Sequence, residues 1–590
     1  MWHPLLEHPI AVQRQLVRAL AAASCCWLAV SACSRGERSP AADASPRVAE
    51  AGVVAEDGPA GVLRSFAEEG IQATRALGEK CSDRGSYLTI RRDVLASMEA
   101  WRRAIAISAE VALGPEISFD ERGGALGALD RAMGTSDCAA VQQQTHQIER
   151  ALRLADMELG RRGIPVHLFA QAVSNSAYDL GQALLESTVF VPDGDDAALA
   201  DVRGLLAFVE AGAQALGLDA GDALAPFARI EEARTLADVR DRAALVRATG
   251  VLGARLRAQA HARGVDVYPR FPVKTRTDEV SAFTLPRPAA PADPARAALG
   301  EKLFGDPRLS RGHARSCATC HVPARAFADG LVAPASLDPH VTLVRNTPSL
   351  FYAPLAASLT WDGRVRTADR QALEVIHTRA EMGLGNAELA REVASAYGDD
   401  FRRAFGEEVT PGDIGLALSA FEAQKLVPDQ APIDRFGRGD DAALSSDSRA
   451  GLDVFAGKGR CARCHIPPVF GGSRPPDFTV PVFSVLGVPA APGEHVLDAD
   501  RGRAVVTGRA QDEGAFKVPT VRDTGKTAPY FHHGRYATLE QVVDFYDQGG
   551  GRGLGMTVDN QDPEVRPLHL SAEEKRVLLV FLREALDDGR

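Results

Sequence analysis

The sequence predicts a mostly α-helical protein. Apolar residues recur at intervals of three and four over long segments, and few runs alternate in the manner of strands. The 590 residues are 45% hydrophobic and 25% charged, which is an ordinary globular composition with enough apolar side chains for several cores. The formal net charge of -11 argues against nucleic acid as a partner.

Residues 1–33 are typical of a secretory signal of the lipoprotein type. Arg14 and Arg18 precede an apolar run at residues 19–32, which is too short to span a membrane. The run ends in Val30-Ser31-Ala32-Cys33, which is similar to a bacterial lipoprotein cleavage box. We therefore expect a periplasmic location with a lipid anchor at Cys33, and simple secretion is the alternative. Membrane contact is expected only through this lipid.

The next 260 or so residues divide into three predicted parts. Residues 34–60 are rich in Ala, Ser, Pro, Arg and Glu without apolar periodicity, which predicts a disordered tether. Residues 61–265 predict an all-α helical bundle of unknown role. Residues 266–293 predict an extended linker, because six prolines fall within residues 265–295. The helical runs of the bundle cover residues 88–107, 139–160, 166–185, 197–216 and 230–263.

The pattern Cys-x-x-Cys-His occurs twice, 144 residues apart. It is typical of c-type haem attachment, because two thiols at this spacing can each form a thioether to haem while the histidine binds the iron. One copy alone would also fit a redox dithiol or half of a zinc site, but a zinc site needs paired knuckles about 15–20 residues apart. We therefore predict two covalent haem c groups, with His321 and His465 as iron ligands. The predicted haem-binding residues are Cys317, Cys320, His321, Cys461, Cys464 and His465.

Each motif lies in a segment of the size of a cytochrome c unit with insertions. We predict a first cytochrome c-like haem domain at residues 294–430 and a second at 431–590, preceded by the helical bundle. The predicted helices of these domains cover residues 297–303, 387–397, 412–424, 447–456, 539–546 and 572–586.

Five of the nine cysteines lie outside the haem motifs. Cys25, Cys26 and Cys33 belong to the leader. The remaining pair, Cys81 and Cys138, predicts a disulfide in an exported chain, and two buried free thiols are the alternative.

Residues 294–586 resemble the bacterial di-haem cytochrome c peroxidase/MauG family, because many short motifs recur in the family's order. The motifs are Leu299-Gly300, Leu303-Phe304, Asp306-Pro307-Arg308-Leu309-Ser310, Ser316-Cys317-Ala318-Thr319-Cys320-His321, Ala326-Phe327-Ala328-Asp329-Gly330, Arg345-Asn346-Thr347-Pro348-Ser349-Leu350, Trp361-Asp362-Gly363-Arg364, Phe516-Lys517-Val518-Pro519-Thr520-Val521-Arg522 and Thr527-Ala528-Pro529-Tyr530-Phe531-His532.

The resemblance implies that H2O2 reacts at the haem bound through His321. Glu381 matches the acid on the open side of that haem, where a carboxylate can move a proton between the two peroxide oxygens. Gln371 matches a glutamine that orients this pocket. Trp361 matches a tryptophan between the two haems that relays electrons. A solvated charge at Glu381 and a core tryptophan at Trp361 are the plain alternatives.

The resemblance also bears on the second haem, where peroxidases carry an axial methionine. At the corresponding position this chain has Tyr546, as MauG-type members do. A phenolate stabilises oxidised iron, which favours holding oxidising equivalents over collecting electrons. Met556 is an alternative ligand through a loop movement, and a haem with neither residue is a third possibility.

Two further sites follow from the resemblance. His340 lies close to the position of a loop histidine that caps the first haem in some peroxidases, with spacing that differs by about two residues; a surface histidine is the alternative. A calcium ion between the haem domains is implied, with Asn346, Thr527 and Pro529 supplying oxygen ligands. These residues could instead only shape the turn.

We therefore expect an exported di-haem peroxidase that reduces H2O2 with electrons from a small cytochrome c or cupredoxin. Two alternatives remain open. A MauG-like enzyme would use H2O2 to oxidise Trp or Tyr residues of a partner protein. A di-haem electron carrier would fill both axial positions and would need neither Glu381 nor Gln371.

Overall fold

Helices dominate the regular structure in the computed structural model of the protein, so the mostly α prediction is confirmed. The structure describes residues 58–90, 128–129, 131–133, 137–162, 165–185, 195–268, 280–286, 293–406, 408–473, 475 and 478–589. All of them belong to one compact unit, residues 54–590. The predicted leader with Cys33, most of the tether and most of the linker lie outside the described residues, and the last two residues of the predicted tether begin α1.

Six α-helices in the N-terminal half of the described chain have defined bounds, and residues 84–90 are helical as well. The six are α1 (Pro59–Glu79), α2 (Cys138–Arg162), α3 (Val166–Leu185), α4 (Asp195–Ala215), α5 (Ala228–Glu232) and α6 (Arg242–Ala262). Within the described residues, none of the helices is both long and apolar enough to cross a membrane.

The haem-motif region adds eleven helices and one small sheet in the described residues. They are α7 (Pro294–Phe304), α8 (Cys317–Cys320), α9 (Ala368–His377), α10 (Asn386–Phe405), α11 (Pro411–Lys425), α12 (Pro432–Gly437), α13 (Ser446–Ala456), α14 (Ala504–Thr507), α15 (Leu539–Asp547), α16 (Gly550–Gly553) and α17 (Ala572–Val580), with the antiparallel pair β1 (Phe483–Val485) and β2 (Ala515–Lys517).

Side-chain caps explain where several of these helices begin. The Thr538 hydroxyl accepts from the Gln541 N–H, and the Gln541 side chain returns a bond to the backbone, which starts α15. Ser571 and Glu574 form the same box at α17. These S/T-x-x-E/Q signals place predicted and observed helix starts at the same residues, 539 and 572.

One predicted helix is wrong. The run at residues 230–263 is interrupted, and the structure has the short α5 followed by the separate α6. Thr235 and Asp238 form a capping box of their own. Asp241, with φ of 51°, then accepts a hydrogen bond from the Ala244 N–H and starts α6. Local capping by polar side chains therefore breaks an apolar pattern that would otherwise continue.

The predicted disulfide between Cys81 and Cys138 is confirmed, with a Cα–Cα distance of 5.3 Å. It joins the turn after α1 to the first residue of α2. These two helices pack together around a buried cluster that includes Leu77, Val141 and Ile148.

In each haem segment, an early helix crosses the last or nearly last helix at a glycine. In the first segment, Gly300 of α7 faces α11, and an added Cβ would overlap the carbonyl oxygen of Ala417. In the second, Gly451 of α13 faces α17 and would overlap the carbonyl oxygen of Val577. The absence of a side chain lets both helix pairs approach closely, so the two segments repeat one packing device.

The N-terminal helices share a hydrophobic core with the second haem segment. Buried residues of α3, α4 and α6 form one cluster with those of α12, α13 and α17. Polar contacts reinforce this junction, since the Asp453 carboxylate of α13 accepts hydrogen bonds of 2.8 and 2.9 Å from the N–H groups of Asp241 and Arg242. The predicted domain bounds stay predictions, but the core is continuous across residues 61–265 and 431–590.

Arg522 is held in a buried ion pair within the second haem segment and contacts the first segment through Tyr352. Arg522 forms two hydrogen bonds of 2.9 and 2.8 Å with the Asp434 carboxylate, and its guanidinium lies over the Tyr352 ring. Arg522 and Tyr352 are each 1% exposed. Its Nε also donates to the Pro468 carbonyl at 2.8 Å. Arg522 thus fixes the segment that carries Pro519 against both halves.

Candidate active site

Both Cys-x-x-Cys-His motifs lie in tight helical turns. Cys317 and Cys320 form α8, which Ser316 and Thr319 cap, and Cys461 begins a 3₁₀ turn that ends at Arg463. All four motif thiols are free. Burial raises the pKa of both Cys317 and Cys461 to about 12, so these thiols are protonated at neutral pH.

Each motif opens into its own cavity. The first cavity has a volume of about 480 Å³ and is lined by Cys317, Cys320 and His321. The second has a volume of about 730 Å³ and is lined by Cys461, Cys464 and His465.

The two motif histidines are held in the same way. The Nδ1 atom of His321 lies 2.9 Å from the carbonyl oxygen of Phe327, and that of His465 lies 2.9 Å from the carbonyl oxygen of Pro519. Because a carbonyl only accepts, Nδ1 carries the proton and Nε2 keeps its lone pair. Burial lowers the pKa of His321, and it lowers that of His465 to about 4, so both rings are neutral.

This donor set fits covalently attached haem. Each cavity combines two unbonded thiols with a neutral imidazole whose free nitrogen can bind iron. The carbonyl that accepts from Nδ1 is the usual outer partner of a ligating histidine.

Glu381 and Gln371 both line the first cavity, together with His321. Gln371 lies in the first turn of α9, whose Ala372 and Val375 also face the cavity. Glu381 follows the end of α9, and its N–H donates to the Thr378 carbonyl at 2.9 Å. Burial raises the pKa of the Glu381 carboxyl, and the nearby Arg364 opposes the shift.

His340 does not reach the first cavity. It is exposed, and its N–H donates to the Asp338 carboxylate at 3.0 Å, while the neighbouring residues Thr342, Leu343 and Val344 provide that part of the lining. Met382 does line the cavity and is 2% exposed. Sequence reasoning passed over Met382, although a thioether beside Glu381 is a possible iron ligand.

Trp361 lines both cavities. Its indole Nε1–H donates to the Asn346 carbonyl at 2.8 Å, and its own carbonyl accepts from the Lys517 N–H at 2.8 Å. Two hydrogen bonds on different sides therefore fix the ring and its backbone between the cavities.

Tyr546 and Met556 differ in position. Tyr546 of α15 lines the second cavity, where burial raises the pKa of its phenol. Met556 is 8% exposed and packs in a small cluster with Val485, Ala515 and Val558, outside the cavity lining. The geometry brings Tyr546, rather than Met556, together with His465.

The three residues assigned to calcium all line the first cavity. Asn346 donates from its side-chain nitrogen to the Leu331 carbonyl at 2.7 Å, which leaves the amide oxygen as a ligand atom. Thr527 and Pro529 contribute to the same lining. Among the described residues, no cluster of three or more His, Cys, Asp or Glu side chains forms a metal site. An ion here would depend on amide and carbonyl oxygens.

Sequence reasoning missed several charged residues around the cavities. Asp362 is 4% exposed and binds both Arg345 and Arg364, which hold the pKa of its carboxyl at about 2 despite its burial. Glu422 of α11 lines the first cavity at 5% exposure, and burial raises its pKa to about 8. Lys517 lines both cavities. Asp362 and Lys517 stand within the motifs quoted above, but the sequence gives no sign of their charged partners.

Comparisons with known proteins place the chain in a family. A family model for di-haem cytochrome c peroxidase matches residues 294–442. The chain is 34% identical over 304 residues to the methylamine utilization protein MauG of Methylorubrum extorquens, covering 51% of this chain and 80% of that protein. It is 35% identical over 289 residues to the cytochrome c551 peroxidase of Pseudomonas aeruginosa, covering 47% and 79%.

A solved structure is also similar. The crystal structure of a MauG-like protein associated with microbial copper homeostasis aligns with a TM-score of 0.47 and 29% identity, covering 53% of this chain and 95% of that one. The family assignment rests on the two sequence relatives, MauG and the cytochrome c551 peroxidase, since this chain covers about four fifths of each. The chain therefore belongs to the di-haem cytochrome c peroxidase/MauG family and is a di-haem, H2O2-dependent oxidoreductase with two haem c cofactors.

Proposed function

We propose that this protein is a peroxidase that reduces H2O2 with electrons from a small redox protein. The observation that carries the proposal is the pairing of His321 with the Glu381 carboxyl in the lining of one cavity. A pure carrier has no use for a partly buried acid in this cavity. The reaction consumes H2O2, two electrons and two protons and yields two water molecules.

The thiols of Cys317 and Cys320 would hold one haem and those of Cys461 and Cys464 the other, and His321 and His465 would each bind an iron. When bound, the haems supply iron that accepts H2O2 and exchanges electrons. Glu381 takes the proton from the near peroxide oxygen and returns it to the far one. Gln371 orients the peroxide, and Trp361 carries electrons between the two cavities.

The test is steady-state oxidation of reduced cytochrome c or a reduced cupredoxin by H2O2. Glu381→Gln keeps the side-chain volume and removes the proton acceptor, so we expect turnover to fall by about 10²–10⁴-fold. Glu388→Gln, an exposed acid in the first turn of α10, is the matched control and should retain turnover. Equal turnover in the Glu381 variant would contradict the role of this carboxyl.

The position of Tyr546 favours a second candidate, a MauG-like enzyme that oxidises Trp or Tyr residues of a partner protein. Tyr546→Phe should change the optical and EPR spectrum of one haem only, while Met556→Leu should change neither. An unaltered spectrum in the Tyr546 variant would end this reading. Mass spectrometry of co-expressed partner proteins before and after H2O2 would identify the modified residue.

The electron-carrier alternative depends on Met382, which lines the first cavity. If the Met382 thioether binds the same iron as His321, Met382→Leu must convert a low-spin iron signal to high-spin, and the unmodified protein must be inert to H2O2. Peroxide reactivity of the unmodified protein removes this alternative.

We further infer two cytochrome c-like domains, at residues 294–430 and 431–590, behind the helical bundle at 61–265. We also infer calcium at Asn346, Thr527 and Pro529. Chelation followed by calcium addition should change the EPR spectrum reversibly, and calcium analysis of the purified protein showing none would refute the site.

We also infer export to the periplasm with a lipid on Cys33. The expected observation is membrane association of the full chain that Cys33→Ser abolishes. A Cys33→Ser protein that stays in the membrane fraction would contradict the anchor.

A further inference from the structure

Lys517 lies in the wall that separates the two cavities. It is the last residue of β2, lies opposite Phe483 of β1, and donates its N–H to the Trp361 carbonyl at 2.8 Å. Its side chain is partly buried and lines both cavities. The residues common to both linings are Trp361, Lys517, Val518, Pro519, Thr520, Thr524, Tyr530 and Phe531. Of this shared wall, as the structure describes it, Lys517 is the only cationic member.

The arginines near the first cavity are already paired with carboxylates. Arg345 binds the carboxylates of Asp362 and Asp500, with N–O distances of 2.7 Å to each. Arg364 binds Asp362 at 2.9 Å and also pairs with Glu374. Lys517, in contrast, has no carboxylate, carbonyl or hydroxyl partner for its ammonium within the described parts of the chain, and burial lowers its pKa to about 8.

A buried ammonium without a counter-charge is costly, and buried charges in native proteins are normally paired. The wall around Lys517 is built from apolar or uncharged side chains, and no acidic residue is common to the two linings. A ligand bound in one of the cavities is therefore the expected source of a counter-charge for the Lys517 ammonium. Each haem c carries two propionate carboxylates, which are the anions that two haem-filled cavities would bring to this wall.

We propose that the Lys517 ammonium binds a haem propionate at the wall between the two cavities and thereby raises the reduction potential of that haem. A cation close to an iron porphyrin favours the ferrous state, because the ferric state carries one more positive charge. Since the Lys517 backbone is bonded to Trp361, this charge lies beside the residue proposed to carry electrons. Lys517 is thus a positioning residue for propionate and charge.

The experiment is a spectroelectrochemical titration of the haem-loaded full chain and three variants. In Lys517→Gln we expect the ferric/ferrous equilibrium of at least one haem to shift at least tenfold toward ferric, which corresponds to 59 mV for one electron. Lys517→Arg should keep the potential. Lys458→Gln is the control for simple charge removal, because Lys458 is exposed, pairs with Glu574 at 2.8 Å and lies near Cys461 outside the second cavity's lining.

EPR signals of the two irons distinguish which haem supplies the propionate, since only that haem should shift. Unchanged potentials in Lys517→Gln, or an equal shift in Lys458→Gln, would overturn the proposal. If Lys517→Gln fails to retain haem, Lys517→Arg still decides: exchange of ammonium for guanidinium must move the propionate bending band in the resonance Raman spectrum. A band at the same position refutes propionate binding.

The inference rests on haem in both cavities, as in the proposed function, and not on the identity of the electron donor. A protein that fails to oxidise cytochrome c but shows the Lys517-dependent potential would leave this inference standing. If the protein turns over H2O2 but the unmodified protein and Lys517→Gln have the same reduction potentials, this inference is refuted and the proposed function is not.

Discussion

Single carbonyl groups set the chemistry of the two motif histidines. The Phe327 and Pro519 carbonyls, each 2.9 Å from a ring Nδ1, fix the tautomer that presents Nε2 to the cavity. A backbone acceptor cannot be removed by substitution of its own side chain, which makes this arrangement robust to sequence change. The acid in the same first cavity, Glu381, is instead a side chain that substitution can test.

The pH dependence of turnover should report Glu381. A proton acceptor works only when ionised, and burial raises the Glu381 pKa above its ordinary value of 4.5. The rate should therefore be highest above this raised pKa and fall as the pH drops through it. Stopped-flow measurement of the reaction with H2O2 should show this limb, and Glu381→Gln should lack it. A limb that persists in the variant would assign it to another group.

The spaced motifs predicted the four thiols and the two histidines, and the family resemblance predicted the other cavity residues. The thiols, the two histidines, Glu381, Gln371, Trp361 and Tyr546 all line the cavities expected of them. Met382, Glu422 and Lys517 were missed, because their role depends on which distant segments surround them. A lysine within an apolar strand gives no sign in the sequence of whether a carboxylate lies opposite.

At the level of elements, the helix crossings at Gly300 and Gly451 bring the ends of each haem segment together. Neither glycine has room for a Cβ, because backbone carbonyls of the partner helix occupy the space. The packing is therefore sensitive to the smallest possible enlargement.

Gly451→Ala should lower the free energy of unfolding by about 1–3 kcal/mol, since the α13–α17 pair must separate to admit the methyl group. Gly398→Ala is the matched control. Gly398 lies within α10, where an added Cβ has only the Arg402 side chain at 3.9 Å, so alanine should stabilise the protein by about 0.5–1 kcal/mol. Denaturant unfolding of both variants decides, and opposite signs are the expected result.

Asp453 should be the most sensitive polar residue of the α6–α13 junction. Asp453→Ala leaves the N–H groups of Asp241 and Arg242 without their acceptor, which should cost about 1–2 kcal/mol of unfolding free energy. Asp447→Ala removes an exposed pair with Arg576 from the same helix and should cost much less than Asp453→Ala. Equal losses in the two variants would show that the junction contributes nothing beyond a surface pair.

Helix positions were largely predictable, because apolar periodicity and capping signals are local. The run at 166–185 matches α3 end to end, and 412–424 lies one residue inside α11 at both ends. The break between α5 and α6 was missed, since it depends on hydrogen bonds from Thr235, Asp238 and Asp241 rather than on hydrophobic pattern. The short α9, which carries Gln371, offered too few turns to predict.

At the scale of the whole molecule, the N-terminal helices form part of the second haem segment's core. Ile433, Phe436, Leu452 and Phe455 are at most 1% exposed within the cluster they share with α3, α4 and α6. The sequence could not predict this shared core. Hydrophobic periodicity identifies the buried face of a helix but not the element that packs against it.

A fragment of residues 294–590 should therefore fold poorly on its own. Its α12 and α13 would expose apolar surface that the intact chain buries, so we expect aggregation or strong binding of a hydrophobic dye. Size-exclusion chromatography and dye fluorescence measure this, with residues 58–590 as the control. A monomeric, haem-loaded fragment with native helix content would show that the N-terminal helices are dispensable for the core.

The bond between Cys81 and Cys138 imposes an order on biogenesis. One thiol pair must be oxidised, while Cys317, Cys320, Cys461 and Cys464 must stay reduced until porphyrin is ligated to them. Six thiols on one nascent polypeptide thus require opposite redox treatment. In heterologous production, the host's oxidation system must therefore act on Cys81 and Cys138 only. The cytochrome maturation machinery must act on the four motif cysteines of the same chain.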